Sequence, residues 1–441
     1  SRYLLTVNFR ADGSSRSAPG HRWGTFPSFS AGWVASEEKF MKNLKWDWLS
    51  FLKLRGSWGM LGNERIGSNY FPYIALMSFG NSLFYMADGS VVSDKTARPA
   101  VLAVEDITWE TTTSTDLGLD VNFLNNRLQF HFDYYWKETK DMLLNIEIPY
   151  FMGYNNPSTN AGKMSTHGYD IEVAWNDQIG DFKYGVNVNF SDFLSKIDYM
   201  NDGEQISGGK IKRAGVLFNE FYGYVCEGIY QTQEEVNNSA RTSTTVTVGD
   251  LKYRDISGPD GVPDGVISPE YDRVPLGNSL PRFQYGGSLN ASYKGIDFSL
   301  AFQGIGKQNS YLSTSMVQPL RDNYGNVPAI LEGKYWSPFN TTEENLAAKY
   351  PRLSNVSKSN NYATSNFWMF NGSYFRLKNI TLGYTLPKSW TQKAGINRAR
   401  FYVSGSDLFC LSNFPSGWDP EMGTSDYPIT TSLVMGIQVN F

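Results

Sequence analysis

The 441-residue chain carries 39 Lys and Arg against 43 Asp and Glu, a formal charge of −4, with 28 Phe, 27 Tyr, 12 Trp, 41 Gly and two Cys. So many aromatics with so little net charge exclude a disordered chain, the cysteine count excludes a disulfide scaffold, and slight acidity without a basic run excludes the usual nucleic-acid binder. Mean hydropathy is −0.38 and no long apolar run occurs, which excludes membrane-spanning helices but not spanning strands, whose lipid-facing and lumen-facing residues alternate and average out.

Tyr3-Leu4-Leu5-Thr6-Val7-Asn8-Phe9-Arg10 opens the chain with period-2 alternation, the pattern of a half-apolar strand. No signal peptide precedes it, so the expectation is either a cytoplasmic protein or a piece of a longer secreted one. Residues 35–50 form a connection expected to hold a helical turn. Leu117, Leu119, Val121 and Phe123 then alternate with Asp116, Gly118, Asp120 and Asn122. Asn125-Asn126 follows as a tight turn, both residues tolerating positive φ. Beyond it Leu128, Phe130, Phe132, Tyr134 and Trp136 oppose Gln129, His131, Asp133, Tyr135 and Lys137. Residues 176–180 make another short turn before the alternating run 182–191. Two further runs, 282–293 and 296–303, are joined at Lys294-Gly295. Residues 387–398 form a longer short-side connection. Leu433, Met435, Ile437, Val439 and Phe441 then close the chain in alternation.

These runs approach or exceed the roughly 9–11 residues a tilted strand needs to cross a bilayer, against about 5–6 in an ordinary soluble strand. Between the short turns lie long Gly/Asn/Ser-rich stretches at 62–107, 138–165, 194–281, 304–372 and 410–430. Short and long connections therefore alternate, as periplasmic turns and extracellular loops do in outer-membrane barrels. With the short turns periplasmic, the last strand runs downward and leaves Phe441 in the periplasm, where a terminal aromatic acts as the barrel-assembly signal. A soluble β-sandwich is the competing reading, but its loops rarely exceed about 12–15 residues. The prediction is an all-β fold, an antiparallel transmembrane β-barrel wall of about 12–14 strands, with 221–231 as one more candidate hairpin.

Tyr3-Leu4-Leu5-Thr6 with Asp12-Gly13-Ser14-Ser15-Arg16, Leu54-Arg55-Gly56-Ser57-Trp58-Gly59, Gly249-Asp250-Leu251-Lys252-Tyr253-Arg254-Asp255, Tyr335-Trp336-Ser337-Pro338, Lys349-Tyr350-Pro351-Arg352-Leu353 and Gly372-Ser373-Tyr374-Phe375-Arg376-Leu377-Lys378-Asn379-Ile380-Thr381-Leu382-Gly383-Tyr384 follow one another to Asp419-Pro420-Glu421 and Phe441. In this order they resemble the SusC/RagA-type TonB-dependent transporters of the outer membrane of Bacteroidota. The resemblance implies that residues 1–441 form the C-terminal part of a 22-stranded barrel, the plug, TonB box and N-terminal strands lying outside this chain. It further implies active import of oligosaccharides or peptides captured with a SusD-like surface lipoprotein, and energy from TonB–ExbB–ExbD through the missing N-terminal region. Outer-membrane lipid and the barrel-assembly machinery are the other implied partners, with no nucleic acid. A passive porin or structural barrel is the alternative.

Asp255, Asp260, Asp264 and Asp272 resemble a Ca²⁺ loop, in which closely spaced carboxylates and a sharp Gly turn supply hard oxygen ligands. Their spacing is irregular and Pro259 and Pro269 interrupt it, so a solvated Asp/Gly turn cluster is the other reading. Trp336, Trp368 and Trp418 lie in or beside predicted extracellular loops near Asn340, Asn361 and Asp419. They are candidates for stacking on a sugar or peptide ligand, set against girdle or loop packing. Trp46, Trp48 and Trp136 read as girdle residues. His21, His131 and His167 are not spaced as metal ligands, and Cys226 and Cys410 read as unpaired. No nucleophile elbow, phosphate loop or paired catalytic carboxylates are present, so no catalytic residue and no enzyme activity is expected.

Overall fold

A computed structural model describes residues 1–441 apart from 45, 66–69, 100, 101, 147, 202, 322–324 and 424–426. Twelve strands form one antiparallel sheet in which hydrogen-bonded order follows chain order. They are β1 (Tyr3–Gly13), β2 (Trp23–Val34), β3 (Leu49–Asn63), β4 (Glu110–Phe123), β5 (Leu128–Asn145), β6 (Ser158–Ile179), β7 (Phe182–Met200), β8 (Arg282–Tyr293), β9 (Ile296–Lys307), β10 (Tyr374–Thr385), β11 (Arg398–Ser412) and β12 (Ser432–Asn440). This is the expected up-and-down wall. Among the described residues no helix is long and apolar enough to cross a membrane. The chain divides into two compact units. The first comprises 1–173, 193–205 and 213–218; the second comprises 174–192, 206–212 and 219–441.

In the first unit β1 pairs with β2 from Tyr3↔Trp33 to Gly13↔Trp23, and β4 with β5 from Thr111↔Lys140 to Phe123↔Leu128. The predicted turn at Asn125-Asn126 is present, with φ of 56° and 65° and Leu124 joining them at 52°. The 35–50 connection holds the expected helical turns, Ala35–Glu37 and Lys39–Asn43. Trp46, Trp48 and Phe123 stack in series at the same end of the wall. The 62–107 stretch was expected to be loop; within it Met77–Tyr85 and Val91–Pro99 pair as a separate hairpin. The loop expected over 138–165 shrinks to 146–157, because β5 and β6 continue for 18 and 22 residues, well past a bilayer's need.

In the second unit Lys294 and Gly295 take φ of 44° and 87°, the two positive values that a two-residue hairpin turn demands. The 221–231 segment does not extend the wall. Glu220–Tyr224 pairs with Arg273–Asn278, and Cys226–Ile229 with Leu251–Tyr253, in small sheets of their own. Around these sheets, residues of the 219–280 and 308–372 stretches bury a core of Leu251, Tyr253, Ile267, Met316, Val317, Leu331 and Trp368. The long loops of this unit are therefore folded, with an interior of their own. Along β12 every residue but the half-buried Gly436 is exposed, and the apolar Leu433, Met435 and Ile437 share one face by alternation.

Candidate functional site: a charged wall face and a packed loop core

On β3 of the first unit, Arg55 stands opposite Gly118 of β4, which in turn faces Asp133 of β5. A Cβ on Gly118 would lie 2.5 Å from the Arg55 guanidinium carbon and 2.6 Å from an Asp133 oxygen. The missing side chain is what lets the guanidinium cross β4. Arg55 Nη2 donates to Asp133 Oδ2 at 2.5 Å and Nε to Asp120 Oδ1 at 3.2 Å, with Asp116 at 3.7 Å. Lys53 lies 3.5 Å from Asp120, and His131 Nδ1 3.0 Å from its Oδ1. His131 thus sits on the polar face of β5, in the expected register, beside a carboxylate. The face is acidic and cross-linked, held by one arginine spanning three strands.

The loop core of the second unit is organised by Asp250, which has no solvent exposure. Its Oδ1 accepts from Arg352 Nε at 2.7 Å and from Asn361 Nδ2 at 2.8 Å. Its Oδ2 accepts from Ser357 Oγ at 2.7 Å, Thr247 N at 2.9 Å and Arg352 Nη2 at 3.2 Å. A buried carboxylate is tolerable only when paired and hydrogen-bonded in this way. Asn361 Oδ1 then accepts from Leu251 N, Asn360 Nδ2 donates to Leu251 O, and Tyr253 donates its hydroxyl to Asn360 O at 2.6 Å. Burial pushes the Tyr253 phenol well above its ordinary range and Tyr311 up to about 12, so both remain neutral.

A third clamp ties the 413–431 segment to the wall. Arg376 of β10, with 3% side-chain exposure, places Nη2 2.6 Å from Asp419 and Nε 2.6 Å from Glu421, while Lys378 reaches Asp407 at 2.7 Å.

The residues expected to bind ligand are placed differently. Trp368 is 1% exposed; its ring lies parallel to Tyr350 and Tyr362 and edge-on to Phe367, and Nε1 donates to Asn361 O. Trp336 is buried against Gly249, with Nε1 donating to Gln231 Oε1 at 3.2 Å. These two rings pack loops and present no face for a sugar or peptide. Trp418 packs against the edge of the core and stays half-buried, so of the three it alone keeps surface for a ligand. The four aspartates do not converge. Asp272, with no exposure, accepts from Ile256 N, Ser257 N and Ser268 N; Asp255 accepts from Gly265 N; Asp264 caps Val266 N; Asp260 is exposed. Among the described residues no group of three or more His, Cys, Asp or Glu is arranged to hold a metal. Cys226 and Cys410 are both free thiols, and burial pushes the Cys226 thiol up to about 11. His21 and His167 are exposed, and Phe441 is 86% exposed beyond β12.

Arg55, Asp250, Arg352 and Arg376 were not singled out from sequence, yet each lies inside one of the family-resembling segments quoted above. A charged residue between two apolar neighbours, as in Gly249-Asp250-Leu251 and Phe375-Arg376-Leu377, is the signal that marks them.

A meander of strands longer than a bilayer is thick, with turns short on one side and folded loops on the other, defines an outer-membrane β-barrel wall. Comparison with known proteins makes the class specific. The family model described as TonB dependent receptor-like, beta-barrel, matches residues 1–404, and the chain belongs to that family. TonB-dependent receptor P3 of Formosa agariphila is 30% identical across 100% of this chain and 44% of its own length, and TonB-dependent receptor SusC of Bacteroides thetaiotaomicron is 29% identical across 100% and 42%. The structure of the RagAB peptide transporter superposes with a TM-score of 0.79 at 24% identity, covering all of this chain and 46% of that one. The chain is thus part of a TonB-dependent receptor β-barrel, an outer-membrane protein similar to SusC and to the RagAB transporter, and spans less than half the length of the curated relatives it matches.

Proposed function

We propose that the protein to which this chain contributes is a TonB-dependent importer that takes up oligosaccharides or peptides captured with a SusD-like surface lipoprotein. The match of the family model to residues 1–404 carries this reading. The similarity to the RagAB peptide transporter supports peptide as one of the cargo classes, and oligosaccharide cargo and the lipoprotein partner follow from the resemblance of the sequence to the SusC/RagA type. In it the β1–β12 wall is the membrane-spanning part, the acidic face around Arg55 borders the path, and the loop core built on Asp250 gives the partner and ligand a firm platform. TonB–ExbB–ExbD acts through a plug outside this chain. The protein performs no catalysis; binding and conformational change do the work.

The test is deletion of the gene in its native host, followed by growth on defined oligosaccharides and on peptides as sole nutrient, with co-purification from native outer membranes in mild detergent. The expected result is loss of growth on one cargo class, dependence on TonB, and a stoichiometric lipoprotein. Uptake that persists without TonB and a barrel that purifies alone would establish the passive porin instead.

A further inference from the structure

At the short-turn end of the second unit the outward face of the wall is indented. Two adjacent rungs run across β9 to β12. In the first, Ile296, Tyr384, Phe401 and Ile437 pair in series; in the second, Phe298, Leu382, Val403 and Met435. Leu382 and Val403 carry shorter side chains than Tyr384 and Phe401 beside them. The step leaves a groove of about 750 Å³ lined by Ile296, Leu382, Phe401, Val403, Met435 and Ile437. A membrane wall needs only an apolar surface here, and a smooth one would meet bulk lipid equally well. The groove has the volume of a built ligand site, which runs to roughly 300–1,000 Å³.

Its chemistry is completed by the turns at the same end. The β10–β11 connection, Leu386 to Asn397, contains no Asp or Glu, and it presents Lys388 and Lys393, both exposed. Lys294 of the β8–β9 turn adds a third exposed cation. Asp297, the acid on the adjoining strand, points to the opposite face of the wall, where it accepts from Arg400 at 2.9 and 2.5 Å and where Arg398, two residues before Arg400, also lies; the rim of the groove is left to the turn lysines. Trp390, 64% exposed, stands among them as an interfacial ring does. The other short connections differ: Asn125-Asn126 is neutral, and 176–181 carries Asp177 and Asp181. An apolar slot with cations at its rim matches one molecule class, a chain with a phosphate head.

We propose that this groove holds one acyl chain of a glycerophospholipid from the periplasmic leaflet, its phosphate on Lys388 and Lys393. The short turns of such barrels face the periplasm, which selects a phospholipid over the lipid A of the outer leaflet. The resident lipid would brace β9 to β12 at their short-turn end.

The experiment uses the full-length transporter in mild detergent, titrated with dioleoyl phosphatidylglycerol and, separately, with lipid A, and read by native mass spectrometry. One phosphatidylglycerol per barrel should survive collisional activation, and lipid A should not. Val403→Trp fills the groove, and Lys388→Glu with Lys393→Glu reverses the rim; each should lower the retained fraction about tenfold or more, near what two lost surface cations contribute. Equal retention by the parent and both variants, no retention by the parent, or preference for lipid A would each overturn the proposal. If Val403→Trp fails to assemble, the charge-reversed pair decides, because those side chains lie on the exposed turn.

Discussion

Gly118 stands directly opposite Arg55, and the guanidinium occupies the space a side chain there would fill. That contact converts a one-atom difference in sequence into a link across three strands. Gly118→Ala should displace Arg55 from Asp133 and lower stability toward denaturant by about 1–3 kcal/mol, the usual cost of overpacking. Asp133→Asn removes the same pair from its other end. A double-mutant cycle on the refolded barrel should therefore be non-additive; full additivity would show that the two residues act independently.

Asp250 is the corresponding lynchpin of the loop core. Asp250→Asn leaves Arg352 and Ser357 without their charged acceptor in a buried site, a change that costs about 3–5 kcal/mol when one partner of a buried pair is removed. Residues 232–250 and 350–368 should become protease-sensitive together while the barrel keeps its heat-modifiable migration on gels. Cleavage confined to one of the two segments would contradict the arrangement.

The wall was largely legible in the sequence because alternation is a local property. The turns at Asn125-Asn126 and Lys294-Gly295 and the strands beside them follow from neighbours in the chain. Loop limits were misread where strands outrun the bilayer. Past Trp136, β5 continues through Lys137, Glu138, Thr139 and Lys140, polar on both faces, so the alternation vanishes while the ladder does not. The burial of Trp336 and Trp368 is hidden from the sequence for a different reason. Exposed and buried tryptophans look alike in sequence, and what covers Trp368 comes from Tyr350 and Tyr362 in a packed loop core. The Asp250–Arg352 pair spans 102 positions, a separation over which no periodicity operates.

The tryptophans give a prediction that separates folding from binding. Trp368→Ala should destabilise the loop core by about 3–5 kcal/mol, the range for emptying a buried aromatic site. Trp418→Ala, at a half-buried position, should leave protease resistance close to normal and lower cargo binding, measured by calorimetry on the purified full-length complex. Unchanged binding by Trp418→Ala would remove the last of the three from the ligand site.

Cys226 supplies a pH dependence whose sign is fixed by burial. Its thiol also donates to Gly228 O at 3.3 Å. An unfolded thiol ionises near 8.5, whereas in the fold it holds its proton to about 11. Because the folded pKa is raised, any contribution to stability is fully present below about pH 8.5 and is lost as pH rises toward 11. Only the thiolate is alkylated. The rate of iodoacetamide labelling at Cys226 should stay low at pH 8 and rise with a midpoint near 11; a midpoint near 8.5 would mean that the loop opens around it.

Asp272 and Asp264 answer the calcium question differently. The Asp272 oxygens accept three backbone N–H groups, from Ile256, Ser257 and Ser268. Asp272→Ala should therefore open residues 255–272 to protease, at about 1–3 kcal/mol for each buried donor left unmet, with or without added Ca²⁺. Asp264 accepts from the nearby Val266 N within its own turn, so Asp264→Ala should leave the loop intact and the calorimetric response to Ca²⁺ unchanged from the parent. A heat of Ca²⁺ binding in the parent that Asp264→Ala abolishes, together with calcium protection of the loop from protease, would make these carboxylates metal ligands rather than turn caps.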